Sequence, residues 1–390
     1  MKVAFVTPRY GTEVLGGAEY GARMLAERLA ARPGFEVEAL STTALDVRTW
    51  ADHYPAGDAD VDGVRVRRFA VDRGRDPEFD ERSWKILIDP YRADPRDQRA
   101  FFELQGPVSH GLIAAVRDSD ADLLVFYPYL YHPTFVGAPL VGHRAVVHPA
   151  AHDEASLRLP VLRPVFECAG GLVFQTISER RLVERVVPIG AVPQLLLGLG
   201  VEEGEGSAIA ARSSVGVGDR PFLLYVGRVD SGKGTTTLAE LFAAYKAHRP
   251  GPLALVLAGT VVHEPPAHPD IVVTGPVDDA TKWGLYDASL ALVQPSGYEA
   301  FSLVLMEAWT RRRPVVVNGR CLPTREHCER SGGGLWFEGY RELEVVLDRL
   351  VADDALRTAM GERGRAYVDE WFRWPGLIDR YAVFLERVAP

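Results

Sequence analysis

Glu299 and Glu307 stand with seven residues between them in Glu299-Ala-Phe-Ser-Leu-Val-Leu-Met-Glu307. The apolar run Leu290-Ala-Leu-Val ahead of them reads as a buried strand, Gly297-Tyr298 as a turn, and Ser302 as the N-cap of a helix opening at Leu303. At such a helix end the free amides of Leu303, Val304 and Leu305 carry partial positive charge and suit a phosphate. Glu307 then lies roughly 7.5 Å further along the axis, where a carboxylate can hold a hydroxyl pair such as a ribose offers. Glu299, at the loop tip, would face the group on the far side of a diphosphate, where a sugar would sit. A second segment supplies cations. The strand Phe222-Leu-Leu-Tyr-Val runs into Gly227-Arg228-Val-Asp-Ser-Gly232-Lys233-Gly234, and Arg228 and Lys233 converging at one strand end suit the same diphosphate.

Each signal has a competing reading. Two surface glutamates on an amphipathic helix reach this spacing by chance. Gly227-x4-Gly232-Lys233 nearly spells a P-loop, which would mean Mg²⁺-dependent nucleoside triphosphate hydrolysis, but Gly234 occupies the hydroxyl position and Thr235 comes one residue late. Asp58-x-Asp60 and Asp118-x-Asp120-x-Asp122 match paired aspartates that hold a divalent metal. The second of these precedes the strand Leu123 to Phe126, on the wrong edge of a parallel sheet, and acidic solvent turns account for both. Gly11, Gly16 and Gly17 do not make a dinucleotide fingerprint. Cys168, Cys321 and Cys328 are sparse and lack the short pairing of a zinc site, so they read as reduced packing residues.

Taken in order along the chain, these residues resemble the family 4 retaining glycosyltransferases. Lys2-Val-Ala-Phe-Val-Thr-Pro followed by Gly16-Gly17-Ala18-Glu19 resembles that family's first glycine-rich phosphate-side loop. His152-Asp153-Glu154 resembles its donor-side histidine segment. Gly227-Arg228 with Lys233-Gly234, Gly275-x-Val277 before Leu285-Tyr286, Pro295-Ser296 and the Glu299/Glu307 pair follow in the family's order. One departure is Trp309-Thr-Arg-Arg-Arg313-Pro314, where the family has small residues and a glycine before the proline.

At 390 residues, 47% apolar and 25% charged, the chain is too long for one ordinary domain and can bury two cores. Apolar runs alternate with helical stretches in both halves, which argues for two α/β units built on parallel sheets. The resemblance implies a GT-B fold: two Rossmann-like, doubly wound domains facing a cleft, with the C-terminal helix crossing back to the first. The expected divisions are residues 1–197 on the acceptor side, a Gly-, Ser- and acid-rich hinge at 198–219, a donor domain at 220–370, and a returning helix at 371–390. Trp371 and Trp374 are expected to pack at the crossing. The proline-broken stretch from Asp76 to Arg99 reads as a surface excursion.

The net charge of −9 argues against a nucleic-acid partner, and no apolar run approaches the ~18 residues of a membrane span. Mixed charges between Asp76 and Arg99 do not suit a membrane surface. The expected location is cytoplasmic, and the excess of arginine over lysine hints at a GC-rich bacterial genome.

The resemblance implies transfer of a sugar from a nucleoside diphosphate to an acceptor hydroxyl with retained configuration and without a metal or other cofactor. Arg228 and Lys233 would neutralise the leaving diphosphate, Glu299 would hold sugar hydroxyls, Glu307 the ribose, and His152 would serve the donor sugar from the first domain. Gly16, Gly17, Ser302, Leu303 and Val304 would lie against the phosphates, and Val277 and Leu285 near the base. The partners are then a nucleotide sugar and a small-molecule or oligosaccharide acceptor. A sugar-nucleotide epimerase and a non-catalytic nucleotide-sugar binder remain the alternatives.

Overall fold

The computed structural model describes residues 1–14 and 16–390. It divides into two compact units, Met1–Gly198 with Leu377–Pro390, and Leu199–Gly376.

The first unit is built on an eight-stranded sheet. Its strands are β1 (Lys2–Val6), β2 (Glu36–Thr42), β3 (Gly57–Val61), β4 (Val64–Phe69), β5 (Leu123–Phe126), β6 (Ala145–Val147), β7 (Gly171–Phe174) and β8 (Gln194–Leu196). The spatial order is β3-β4-β2-β1-β5-β6-β7-β8. The central strands β1, β5, β6 and β7 are apolar almost throughout and buried, as strands covered on both faces must be. The edge pair is different: β3 is antiparallel to β4, with Asp58 opposite Arg67 and Asp60 opposite Arg65. The Asp58-x-Asp60 pattern therefore belongs to a charged edge strand, a common device against edge-to-edge association, and Asp58 pairs with Arg65. Asp120 and Asp122 are held by the Lys2 side chain and amide at the start of β1. The 76–99 stretch carries the helix Phe79–Leu87 and the start of the helix Pro95–Gln105, with Trp84 and Tyr91 exposed.

The second unit has a six-stranded, wholly parallel sheet: β9 (Phe222–Val226), β10 (Ala254–Ala258), β11 (Ile271–Gly275), β12 (Ala291–Gln294), β13 (Val315–Asn318) and β14 (Gly334–Phe337), in the order β11-β10-β9-β12-β13-β14. The order reverses between β9 and β12, and the loops leaving the carboxyl ends of these two neighbours hold the candidate residues. The helix Asp354–Trp371 is followed by the helix Trp374–Val388, whose residues from Leu377 onward belong to the first unit. There Tyr381 meets His148 at 2.9 Å.

The stretch expected as a hinge differs from that reading. Residues 208–214 form the helix Ala208–Ser214, capped by the Ser207 hydroxyl on the Ala210 amide, and it packs against the helix Asp279–Ala288. The physical reason is close approach. A Cβ on Gly204 would lie 1.9 Å from Trp283 Nε1, and one on Gly206 would lie 2.3 Å from the Gly284 amide nitrogen. Glycine here lets two segments touch.

Candidate active site

The loop after β9 is organised by Asp230. Its carboxylate accepts the Lys233 amide at 2.9 Å, closing the short 3-10 turn Ser231–Lys233, and pairs with the Arg228 guanidinium. Burial alone would raise this carboxyl, but the Arg228 bond and the Lys233 amide outweigh it and hold it below the ordinary aspartate value. Arg228 is thereby fixed at the rim with 55% of its side chain exposed. Lys233 turns the other way. Its ammonium lies 2.7 Å from Glu299 Oε1, across 66 residues of sequence. The loops after β9 and β12 are joined by this ion pair, in which the Glu299 side chain is 13% exposed.

Glu307 is equally well fixed. Tyr286 donates its hydroxyl to Oε2 at 2.8 Å, and Lys282 approaches Oε1 at 3.2 Å. Burial would lower the Lys282 ammonium, but Glu307 and then Asp279 raise it above its usual value. The Tyr286 hydroxyl is pushed far up, by burial first and by Glu307 second. A carboxylate accepts about four hydrogen bonds, so Glu307, held by two donors, keeps capacity for further hydroxyls.

Two expectations need correction here. Ser302 is not a side-chain N-cap. It sits at φ 72°, ψ 82°, and its hydroxyl makes no bond to the helix end. The Leu305 amide instead donates to the Ser302 carbonyl at 3.2 Å, so that amide is already engaged. Leu303 and Val304 begin the helix Leu303–Thr310 with their amides at its end. The left-handed turn at Ser302 redirects the chain sharply between Glu299 and this helix, a conformation that a non-glycine residue adopts only when its surroundings impose it. Leu285 is fully buried inside the helix Asp279–Ala288 and offers no surface to a ligand. Its neighbour Tyr286, equally buried, reaches the site only through the hydroxyl it donates to Glu307. Val277 is half-buried, between Gly275 at the end of β11 and Asp278, which caps that helix.

In the first unit, Gly16 precedes the helix Gly17–Ala30. A Cβ on Gly16 would fall 2.1 Å from Glu19 Oε2 and 2.8 Å from Arg9, whereas one on Gly17 would meet open space. The Arg9–Glu19 pair is buried, with Arg9 Nε 2.9 Å from Glu19 Oε1 and Nη1 2.9 Å from the Leu45 carbonyl. His152 is half-buried on the loop after β6, its carbonyl accepting the Glu154 amide at 2.8 Å. Asp153 beside it pairs with Arg158.

Three contributors escaped the sequence reading: Asp230, the Arg9–Glu19 pair, and Glu179. Glu179 had a visible signal, since Thr176-Ile-Ser-Glu179 is a capping box. Its fully buried carboxylate accepts the Ala151 amide at 2.8 Å and the Gln175 amide at 2.6 Å, tying the His152 loop to the helix Ile177–Val186. Burial, opposed by these amides, raises its pKa from 4.5 to about 7. The folded state therefore keeps a proton that the unfolded chain has released. This contribution to stability is fully present below the unfolded value and is lost as the pH rises through the folded one, about 3 kcal/mol at most. The Tm of the wild type is expected to fall, relative to Glu179→Gln, between about pH 5 and 7. Parallel Tm profiles for the two proteins over that range would contradict this assignment.

Residues 209–367 match the family model of the group 1 glycosyl transferases. This stretch is a group 1 glycosyltransferase domain. It contains Arg228, Lys233, Glu299 and Glu307 together. The chain is 28% identical over 216 residues to a trehalose synthase of Rubrobacter xylanophilus, covering 50% of each protein. It is 30% identical over 169 residues to the alpha-D-kanosaminyltransferase of Streptomyces kanamyceticus, covering 39% of this chain and 42% of that one. The matches thus span half or less of these curated relatives. The crystal structure of Anabaena HepE in complex with UDP-glucose superimposes with a TM-score of 0.70 at 15% identity, over 99% of this chain and 100% of that one. That likeness shows the GT-B fold.

Proposed function

We propose that the protein is a family 4 retaining glycosyltransferase that moves a sugar from a nucleoside diphosphate to an acceptor hydroxyl without a metal ion. The observation that carries this reading is the Lys233–Glu299 contact of 2.7 Å at the start of the helix Leu303–Thr310. It sets a cation for phosphate and a carboxylate for sugar hydroxyls side by side, where a diphosphate would join a sugar. As the bond from the anomeric carbon to the diphosphate oxygen breaks, negative charge grows on that oxygen. Lys233, Arg228 and the amides of Leu303 and Val304 stabilise it more than they stabilise the intact donor, which is what lowers the barrier. Glu299 holds the sugar hydroxyls, and Glu307, oriented by Tyr286 and Lys282, holds the ribose. Gly275 to Val277 face the base. The leaving phosphate accepts the proton of the incoming hydroxyl, which enters on the face the diphosphate leaves, so configuration is retained. The acceptor is a small metabolite, antibiotic core or oligosaccharide.

We place this activity in a bacterial cytoplasm. Among the described residues no helix is long and apolar enough to cross a membrane.

The test is a thermal-shift screen against UDP, GDP, ADP, TDP and CDP, their glucose conjugates, and ATP, first without metal and then with Mg²⁺. Because HepE binds UDP-glucose, the uridine pair is tried first. One nucleotide at about 100 times its Kd is expected to stabilise the fold by about 2.7 kcal/mol without metal. A shift seen only with ATP and Mg²⁺, or with none of these compounds, would sink the proposal.

A further inference from the structure

Phe301 lies between Glu299 and the left-handed turn at Ser302, and it is buried. Its ring sits edge-on to His327 with centroids 5.0 Å apart and to Phe372 at 5.1 Å. Phe372 also meets Tyr367 edge-on at 5.2 Å and His327 at 5.8 Å. The His327 Nδ1 and the Tyr367 hydroxyl are 3.0 Å apart, which fixes the imidazole inside the cluster. Edge-to-face contacts of this kind define ring orientation as well as burying area. Two of the rings come from the end of the helix Asp354–Trp371, and His327 comes from the helix Leu322–Ser331.

Phe372 has a second attachment. Its carbonyl accepts the Val201 amide at 3.0 Å. The chain passes between the two units at Gly198/Leu199 and again at Gly376/Leu377. Val201 and Phe372 therefore stand just inside the second unit on the two crossing segments, bonded to each other. The same residue that joins the crossing segments also presses on Phe301.

We propose that Phe372 is a positioning residue for Glu299: with His327 and Tyr367 it clamps Phe301, and so holds the Glu299-to-Ser302 turn from the point where both crossing segments enter the unit. This rests on the reading of Glu299 as the residue that holds the donor sugar. The strained backbone at Ser302 is what makes the clamp necessary. A left-handed serine relaxes toward ordinary backbone angles unless its neighbours prevent it, and relaxation there swings Glu299 away from Lys233. The Nε2 of His327, buried with no hydrogen-bond partner among the described residues, points the same way. An imidazole tolerates that only where ring contacts already dictate its place.

The test uses Phe372→Leu, which keeps apolar volume and loses the ring, alone and combined with Glu299→Ala in the full chain. The activity probe is hydrolysis of UDP-glucose to UDP and glucose, with UDP binding measured in parallel. Phe372→Leu is expected to lower the hydrolysis rate about tenfold in the wild type, and by less than about twofold in Glu299→Ala, because residues acting through one another are not additive. UDP affinity should change less than the hydrolysis rate, since Arg228, bonded to Asp230 on the loop after β9, is untouched. Independently of any donor, amide exchange at residues 299–305 should speed up about tenfold in Phe372→Leu, with residues 222–234 unchanged. Equal losses in both backgrounds, or unchanged exchange at 299–305, would overturn the positioning role and leave the role of Glu299 intact. Full activity in Glu299→Ala would overturn both.

Discussion

Lys233→Ala is expected to lower kcat by ~10²-fold or more, the cost of removing one preorganised charge donor from a reaction that expels an anion. Glu299→Ala should lose a comparable factor. The informative protein is the double variant, which should lose little beyond the worse single. The two side chains are 2.7 Å apart, and Glu299 is largely buried. Removing the ammonium alone leaves a carboxylate without its cation, and removing the carboxylate alone leaves Lys233 free to swing. Either loss disables the pair, so the effects overlap. Initial rates with the nucleotide sugar selected by thermal shift, measured for all four proteins, decide it. A kcat for Lys233→Ala within a few-fold of wild type would remove Lys233 from the mechanism. Multiplying losses would show that the two residues act separately. Arg228 should matter less per side chain, because its guanidinium is more than half exposed and already bonded to Asp230.

The strands of both sheets were the most legible part of the sequence, because a parallel strand covered on both faces is a continuous apolar run. Val3 to Val6, Leu123 to Phe126 and Phe222 to Val226 are such runs, and each is a strand. The strands that escaped are those without that pattern. Gly57–Val61 is acidic because it is an exposed edge, Gln194–Leu196 is three residues long, and Gly334–Phe337 is a short run that merges with the turn glycines Gly332 and Gly333. At the site, residue types and order pointed to Arg228, Lys233, Glu299 and Glu307. What the sequence did not reveal was which of them meet. The Lys233–Glu299 and Glu307–Tyr286 contacts join distant segments, and no local periodicity encodes them. Ser302 misled for a related reason. A serine ahead of an apolar helix signals a cap, but ring contacts to Phe301 from two other helices accompany a left-handed backbone there, and tertiary contact overrides local preference. Gly204 and Gly206 misled through composition, since the residue that loosens a linker also permits close approach.

The Trp309 departure predicts the largest change in stability. Trp309 is fully buried, and its indole donates to the Gly333 carbonyl at 3.0 Å. It stands two residues after Glu307 and so on a different side of the helix. It contributes to the core beneath the site rather than to the ligand face. The arginines that follow are also structural: Arg311 pairs with Asp287, and Arg312 with Glu362. Space for the indole comes from two glycines. A Cβ on Gly364 would lie 2.1 Å from Trp309 Cδ1, and one on Gly333 would lie 2.7 Å from Nε1. Trp309→Ala should therefore cost about 3 to 5 kcal/mol, the range for emptying a large aromatic site. Gly364→Ala should also destabilise, because neither the indole nor the helix backbone can yield by an ångström without strain. With the indole removed, the sign should reverse. Ala at position 364 then fills part of the cavity, and mid-helix it is preferred to Gly by up to about 1 kcal/mol. Urea and thermal midpoints of wild type, Trp309→Ala, Gly364→Ala and the double variant test this directly. Gly364→Ala should lower the midpoint of the wild type and raise that of Trp309→Ala. If it lowers both, the glycine is required by the backbone itself, and the indole is not what excludes a side chain there.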